Sequence, residues 1–199
     1  MTGWQHFTLD NLPVSAWRTG GGETREIISY PPGKREFDWR ISIATIEQDG
    51  PFSAFPGIDR SITLLSGEGV HLRALPGIDH ALTRVGEPYA FRGDDALRAR
   101  LLGGVTTDFN VMTRRLVCAA HVITTGENLR VTRETGGVSY IIRGEWQIPD
   151  RRILGAGEGL VWSDADGCGD DAERSFTVTA SHPDGLLLWA AVREQKSQA

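Results

Sequence analysis

Polar and apolar positions alternate through most of this chain. The alternation is clearest over residues 37–69, FDWRISIATIEQDGPFSAFPGIDRSITLLSGEG. Phe37, Trp39, Ile41 and Ile43 share one parity, and Asp38, Arg40, Ser42 and Ala44 share the other. A period of two predicts a strand, and Trp and Ile suit a pleated, half-buried surface. Asp49-Gly50-Pro51 ends the strand, Pro56-Gly57 breaks the loop behind it, and residues 61–66 predict a second strand closed by Gly67-Glu68-Gly69. The polar parity of the first strand sets one cation beside two small side chains, an arrangement that leaves room for a ligand next to Arg40. A solvated outer face is the other reading that alternation alone leaves open.

The same pattern continues on both sides. Residues 2–16 predict a short strand and a loop holding Pro13, and residues 23–30 a strand that ends at Pro31-Pro32-Gly33. Further strands are expected over 70–75, 80–85, 89–91 and 97–102, and one helical turn over 108–113 with Asp108 as its N-cap. A second series follows over 115–124, 127–134, 138–143, 145–148, 160–163, 176–180 and 186–193. Tyr140-Ile-Ile-Arg-Gly-Glu145 echoes Thr63-Leu-Leu-Ser-Gly-Glu68, a faint internal repeat of an apolar strand turning at Gly-Glu. Short strands at this spacing predict an all-β barrel or sandwich.

Composition narrows the picture. The chain has 199 residues, 40% of them hydrophobic, with 24 glycines and nine prolines, which suits one large all-β domain or two small ones. A net charge of −5, no basic run and no zinc-finger spacing argue against nucleic-acid binding. No apolar run approaches a membrane span, and the N-terminal residues lack the charge-then-apolar order of a signal peptide. The two cysteines, Cys118 and Cys168, predict reduced thiols, not a disulfide framework, as expected of a cytoplasmic protein.

Three blocks carry a family resemblance: W17-R-T-G-G-G-E-T-R-E-I27, the stretch 39–69, and F91-R-G-D-D95 with D108-F-N-V-M-T-R-R115. Together they resemble the HutD/Ves family of cupin-like proteins, and they occur in that family's order. One departure is Thr19, where the family usually has Asn before the glycine triplet. The resemblance implies a bicupin, two RmlC/germin-like β-barrels (double-stranded β-helices) packed in one chain, with an N-terminal barrel over 1–112 and a C-terminal barrel over 113–199. It also implies a cytoplasmic accessory or regulatory role beside histidine-degradation enzymes, with ligands such as urocanate or formylated glutamate. A homodimer is open.

The residues themselves limit the chemistry. Metal cupins converge His-x-His and a carboxylate on a divalent ion. Here His6, His71, His80, His121 and His182 form no such pair, so no metal and no cofactor is expected; His121 in its apolar strand reads as a buried histidine, and His182 before Pro183 as an exposed one. Asp164, Asp166, Asp170, Asp171 and Glu173 crowd one loop, but Ser175 and Cys168 stand where an EF-hand needs oxygen ligands, which predicts a solvated acidic loop. Gly20-Gly21-Gly22 is neither a P-loop nor a dinucleotide fingerprint; it reads as a tight bend or, beside Arg18, Thr24 and Arg25, as a carboxylate-binding corner. No nucleophile elbow is present, and Asp79 and His80 are expected on opposite sides of their strand. The site expected from these features binds a small anionic metabolite through Trp17, Arg18, Thr24, Arg40, Ser42, Ser53, Arg60, Asp108 and Asn110. Arginines pair with the carboxylate, Trp17 covers the apolar part, and Ser and Asn fix orientation. A metal-free isomerase-like enzyme and a protein-interaction module with a vestigial pocket are the rival readings.

Overall fold

The structure is a computed structural model that describes residues 4–18, 20–132, 135–148, 150–163 and 175–195. Thr19, Cys168 and the acidic loop over 164–174 lie outside the described residues. Nineteen strands are formed among the described residues. They are β1 (Gln5–Thr8), β2 (Val14–Ala16), β3 (Gly22–Tyr30), β4 (Trp39–Ile46), β5 (Gly50–Pro51), β6 (Ile58–Ser66), β7 (Val70–Ala74), β8 (Ile78–Leu82), β9 (Pro88–Arg92) and β10 (Arg98–Leu101). Then come β11 (Thr106–Arg114), β12 (Cys118–Thr125), β13 (Leu129–Thr132), β14 (Gly136–Arg143), β15 (Trp146–Gln147), β16 (Ile153–Leu154), β17 (Glu158–Ser163), β18 (Ser175–Ala180) and β19 (Leu186–Glu194). One 3-10 turn, Leu9–Asn11, is the only helical element among the described residues. None of them forms a helix long and apolar enough to cross a membrane.

Two compact units divide the chain. One spans Pro13–Ala119; the other joins the N-terminal residues up to Leu12 to the segment from Ala120 to Gln195. Residue 112, the junction expected from sequence, falls inside β11, and β1 pairs with β17 in the second unit. Each unit is a pair of open sheets among the described residues. The first has the orders β2-β3-β4-β11-β6-β9 and β5-β10-β7-β8; the second has β1-β17-β14-β19-β12 and β13-β18-β15-β16. Adding eight to every strand number turns β4-β11-β6-β9 into β12-β19-β14-β17 and β5-β10-β7-β8 into β13-β18-β15-β16. The echo between residues 63–68 and 140–145 therefore belongs to a repeat of eight strands. In both copies the strand ends at a glycine with positive φ, Gly67 at 92° and Gly144 at 80°, a turn that a side chain would strain.

The two interiors differ. In the second unit Trp146, Trp162, Trp189 and Phe176 fill the core, with Trp162 stacked on Trp189 at 4.5 Å. In the first, Ile46, Ile62, Leu64, Val70, Leu72 and Leu97 pack the apolar part, while Ser42, Arg60, Asp108 and Asn110 bring buried polar groups to the large sheet.

The helical turn expected over 108–113 is strand β11 instead. It lies between β4 and β6 and pairs with both over most of its length. Asp suits a helix N-cap, but two flanking strands satisfy the backbone of this segment as no isolated turn can.

Candidate functional site

The parity that alternation assigns to β4 decides what faces the interior. Register places Arg40 beside Met112, Ser42 beside Asn110 and Ala44 beside Asp108; across β11, Met112 meets Arg60, Asn110 meets Ile62 and Asp108 meets Leu64. On the other side Thr24 stands opposite Ala44 and Glu26 opposite Ser42. Side chains directly opposite on one face are near neighbours, so these rows make one continuous wall. Beneath it is a cavity of about 330 Å³, within the range of small-molecule sites.

Eight of the nine residues expected at the site line this cavity: Trp17, Arg18, Thr24, Arg40, Ser42, Ser53, Arg60 and Asn110. Arg18 and Ser53 are exposed at its mouth; Ser42, Arg60 and Asn110 are buried. Asp108 belongs to the same wall but does not line the cavity; it is 0% exposed and is joined to the site by its hydrogen bond from Asn110. The chain of contacts fixes the amide. Asn110 Nδ2 donates to Asp108 Oδ1 at 2.6 Å, and Asn110 Oδ1 accepts from Arg60 Nη2 at 2.8 Å. A guanidinium can only donate, so the amide oxygen must point at Arg60.

Arg60 is the unusual member. Its guanidinium sits among three rings, 5.1 Å from the centroid of Phe91, 5.5 Å from Phe52 and 5.6 Å from Phe55, distances at which a cation is attracted by the ring faces. Nη1 has only a long 3.5 Å contact to the Ser53 carbonyl, and buried Nε has no partner. Burial lowers its pKa to about 10; Asp108 opposes the shift and Arg40 adds to it. At neutral pH it is a buried cation with donors to spare. Arg40 has one donor committed, its Nε donating to Glu26 Oε2 at 2.7 Å.

Burial pushes the Asp108 carboxyl the other way, up to about 7, against the opposing charge of Arg60 and the Asn110 hydrogen bond. Its Oδ2 has no partner. The folded protein holds this proton more tightly than an unfolded chain whose carboxyl keeps the ordinary value of 3.8. The group therefore favours folding fully below that value, and the advantage is lost as pH rises through about 7. Asp108→Asn is expected to flatten this part of the pH dependence, read as melting temperature between pH 5 and pH 8.

The loop that supplies Phe52, Ser53 and Phe55 is clamped from both ends. Phe52 N–H donates to Leu97 O and Phe55 N–H to Gly93 O. Arg115 donates to Asp59 and to Asp94 Oδ2, while Asp94 Oδ1 accepts from Gly57 N–H. These bonds hold the exposed Asp94 carboxyl well below the usual range, the Arg115 contact first. The segment 91–95 thus shapes the cavity without lining it, while 108–115 both shapes it and lines it through Asn110 and Met112. Trp17 is fixed likewise: its Nε1 donates to Thr24 Oγ1 at 2.8 Å, and it meets Phe52 edge-on at 6.2 Å. The glycine triplet acts as a bend and does not line the cavity. A Cβ on Gly22 would stand 2.4 Å from Thr45 O and 3.0 Å from the Trp17 ring, so glycine is what lets Trp17 lie down there. Arg25 turns to Glu23 and away from the site.

Sequence reasoning missed the aromatic surround of Arg60, along with Glu26 and Met112. The available signal was Arg60 itself, which shares the apolar parity of Ile62 and Leu64 in β6. It also missed a cross-strand pair on the small sheet, His71 Nε2 with Asp79 Oδ1 at 2.5 Å. His80 points elsewhere and stacks on Tyr89 at 3.8 Å. His121, expected to be buried, is exposed, because β12 ends its sheet and its outward positions face no further strand. His182 is exposed.

The wall does not fit a metal. Guanidinium groups have no lone pair to give and repel a cation, and among the described residues no three His, Cys, Asp or Glu are grouped to hold one. What the wall does fit is a small anion with an apolar part: donors at Arg60, Arg40, Ser42 and Arg18, and rings at Trp17, Phe52 and Phe55.

Known proteins resemble the chain closely. The model of the HutD family matches residues 10–181. Protein Ves of Citrobacter koseri is 39% identical over 189 residues, covering 94% of this chain and 93% of that protein. Protein Ves of Escherichia fergusonii is 40% identical over 161 residues, covering 80% and 83%. Among solved structures, HutD from Pseudomonas fluorescens SBW25, described as a formate condition, superposes with a TM-score of 0.81 at 24% identity, covering 96% of this chain and 99% of that one.

Proposed function

This chain belongs to the HutD family, with the Ves proteins among its relatives, and we propose that its N-terminal unit binds a small carboxylate at Arg60 without chemical turnover. The observation that carries this reading is a largely buried guanidinium, short of hydrogen-bond partners, that lines a cavity of about 330 Å³. Burying a charge without a full set of partners is costly, and an anion that completes the set recovers part of that cost. The formate condition named for the Pseudomonas HutD structure fits the same chemistry, since formate is the smallest carboxylate. The family supports a cytoplasmic accessory or regulatory role in histidine degradation, with urocanate and formylated glutamate as the ligand class. The eight-strand repeat supports reading the two units as two cupin-like barrels.

Binding is favoured over catalysis because of what the wall contains. Cations, hydroxyls, an amide and rings line it, whereas the carboxyl with the raised pKa is withheld behind Asn110. General acid–base chemistry needs a titrating group within hydrogen-bond reach of the substrate. The open cavity in turn disfavours a vestigial pocket.

The test is calorimetry with formate, glutamate, formylglutamate and urocanate. Arg40→Ala is expected to weaken binding by roughly tenfold, one charge-assisted contact, with the fold intact. Equal binding by the variant removes Arg40 from the site, and no binding of any carboxylate by the wild type ends the proposal. Affinity should also fall by roughly tenfold as pH rises from 6 to 8, because ionised Asp108 offsets the charge of Arg60. Asp108→Asn should bind with little dependence on pH over that range.

A further inference from the structure

The small sheet of the N-terminal unit carries a second set of cations that the carboxylate site does not use. In β10 and β7 the alternation is clean: Ala99, Val70 and Leu72 are buried in the core, so Arg98, Arg100, His71 and Arg73 fall on the other face. Register sets Arg98 directly opposite Arg73 and Arg100 directly opposite His71. Like charges directly opposite each other destabilise a sheet, and Arg98 with Arg73 makes one such pair.

Two acids stand near them, Asp79 and, within the same groove, Asp49. Asp79 is taken by His71 at 2.5 Å and reaches Arg73 only at 3.7 Å, with both of the latter side chains more than half exposed. Asp49 Oδ1 accepts the Leu101 N–H at 2.8 Å. Arg98 and Arg100 make no ion pair among the described residues. The cations open on a groove of about 680 Å³, which is lined by His71, Arg73, Arg98 and Arg100 together with Asp49 and Ala96.

We propose that this groove is a second anion site, distinct from the Arg60 cavity, and that it takes a small oxyanion carrying two or more charges through Arg73, Arg98 and Arg100. Neighbouring strands lie about 4.8 Å apart and alternate residues on a strand about 6.8 Å apart, so the three arginines spread their charge over a span that one carboxylate cannot cover. Guanidinium forks match phosphate and carboxylate oxygens alike. Phosphate esters and polycarboxylates are therefore the two sources of the ligand.

The test uses the whole chain at fixed ionic strength, with pyrophosphate and citrate as probes of the two sources and calorimetry as the readout. Wild type is expected to bind one or both saturably. Arg98→Ala with Arg100→Ala should weaken that binding at least tenfold, and Arg73→Gln alone severalfold. Arg60→Met, which disables the other cavity, should leave it unchanged. The melting temperature of the double variant without ligand should equal or exceed that of wild type, since two opposed charges are gone. Absence of saturable binding by wild type, undiminished binding by the double variant, or loss of binding in Arg60→Met overturns the proposal.

Discussion

Arg60→Met is expected to remove carboxylate binding almost completely while changing the melting temperature by no more than a few degrees. Two charge-assisted hydrogen bonds at ~1.5–3 kcal/mol each correspond to a loss of roughly a hundredfold or more. The stability forecast follows from burial. Arg60 is 7% exposed and lies among Phe52, Phe55 and Phe91, surroundings that suit a methionine of similar length. Replacing a buried charge by an apolar side chain of like volume is often neutral or stabilising. Against this, Asn110 Oδ1 loses its donor, a cost of about 1–3 kcal/mol. The two effects largely cancel. Arg60→Lys keeps the charge but not the fork, and should bind at an intermediate level. Thermal unfolding with and without formate reads both quantities at once. Wild-type affinity in Arg60→Met would move the site elsewhere.

Trp39→Ala should do the reverse, costing about 3–5 kcal/mol of stability and sparing the site. Trp39 is 0% exposed and stacks on Tyr30 at 5.6 Å with the planes 15° apart. It is the strand neighbour of Arg40 and so has the opposite parity, with its side chain on the far side of the sheet from the cavity. Denaturant unfolding should show a midpoint well below that of wild type, and the folded fraction should bind carboxylate normally. An unchanged midpoint would mean that the two faces of β4 have been exchanged.

The contrast between these two variants is what a period of two makes readable. Arg40, Ser42 and Ala44 could be put on one wall from sequence because a half-buried strand keeps its parity along its whole length. The same rule applied to β6 puts Arg60 with Ile62 and Leu64, and an arginine on an apolar parity is the strongest local sign of a site. Asp108 and Asn110 lie in a block that carries the family resemblance, while their local pattern suggested a helical start. Flanking strands on both sides override that preference. The aromatic surround was out of reach for another reason. Phe52 and Phe55 sit on a loop whose path depends on backbone bonds to Gly93 and Leu97 and on Arg115 and Asp94, and no periodicity encodes a contact between segments 21 to 45 residues apart. His121 shows the opposite failure, where apolar neighbours suggested burial but the end of a sheet left the side chain outside.

The pairing of β1 with β17 bears on the order in which the chain can fold as it leaves the ribosome. The first unit is one continuous segment, Pro13–Ala119, and every strand it needs has emerged once that segment is out. The second is not. Thr8 stands opposite Glu158, and His6 Nε2 meets Glu158 Oε1 at 2.8 Å. At ~5–20 residues per second, residues 5–8 wait roughly 10–30 s for their partners while the cavity-bearing unit closes behind them. During that interval their backbone groups lack the ladder partner that β17 later supplies, and are available to any other unpaired strand nearby. At only four residues, and with just Phe7 among them fully buried in the end, the segment offers little to a wrong partner. The cavity-bearing half can thus be complete before the other half has its last strand.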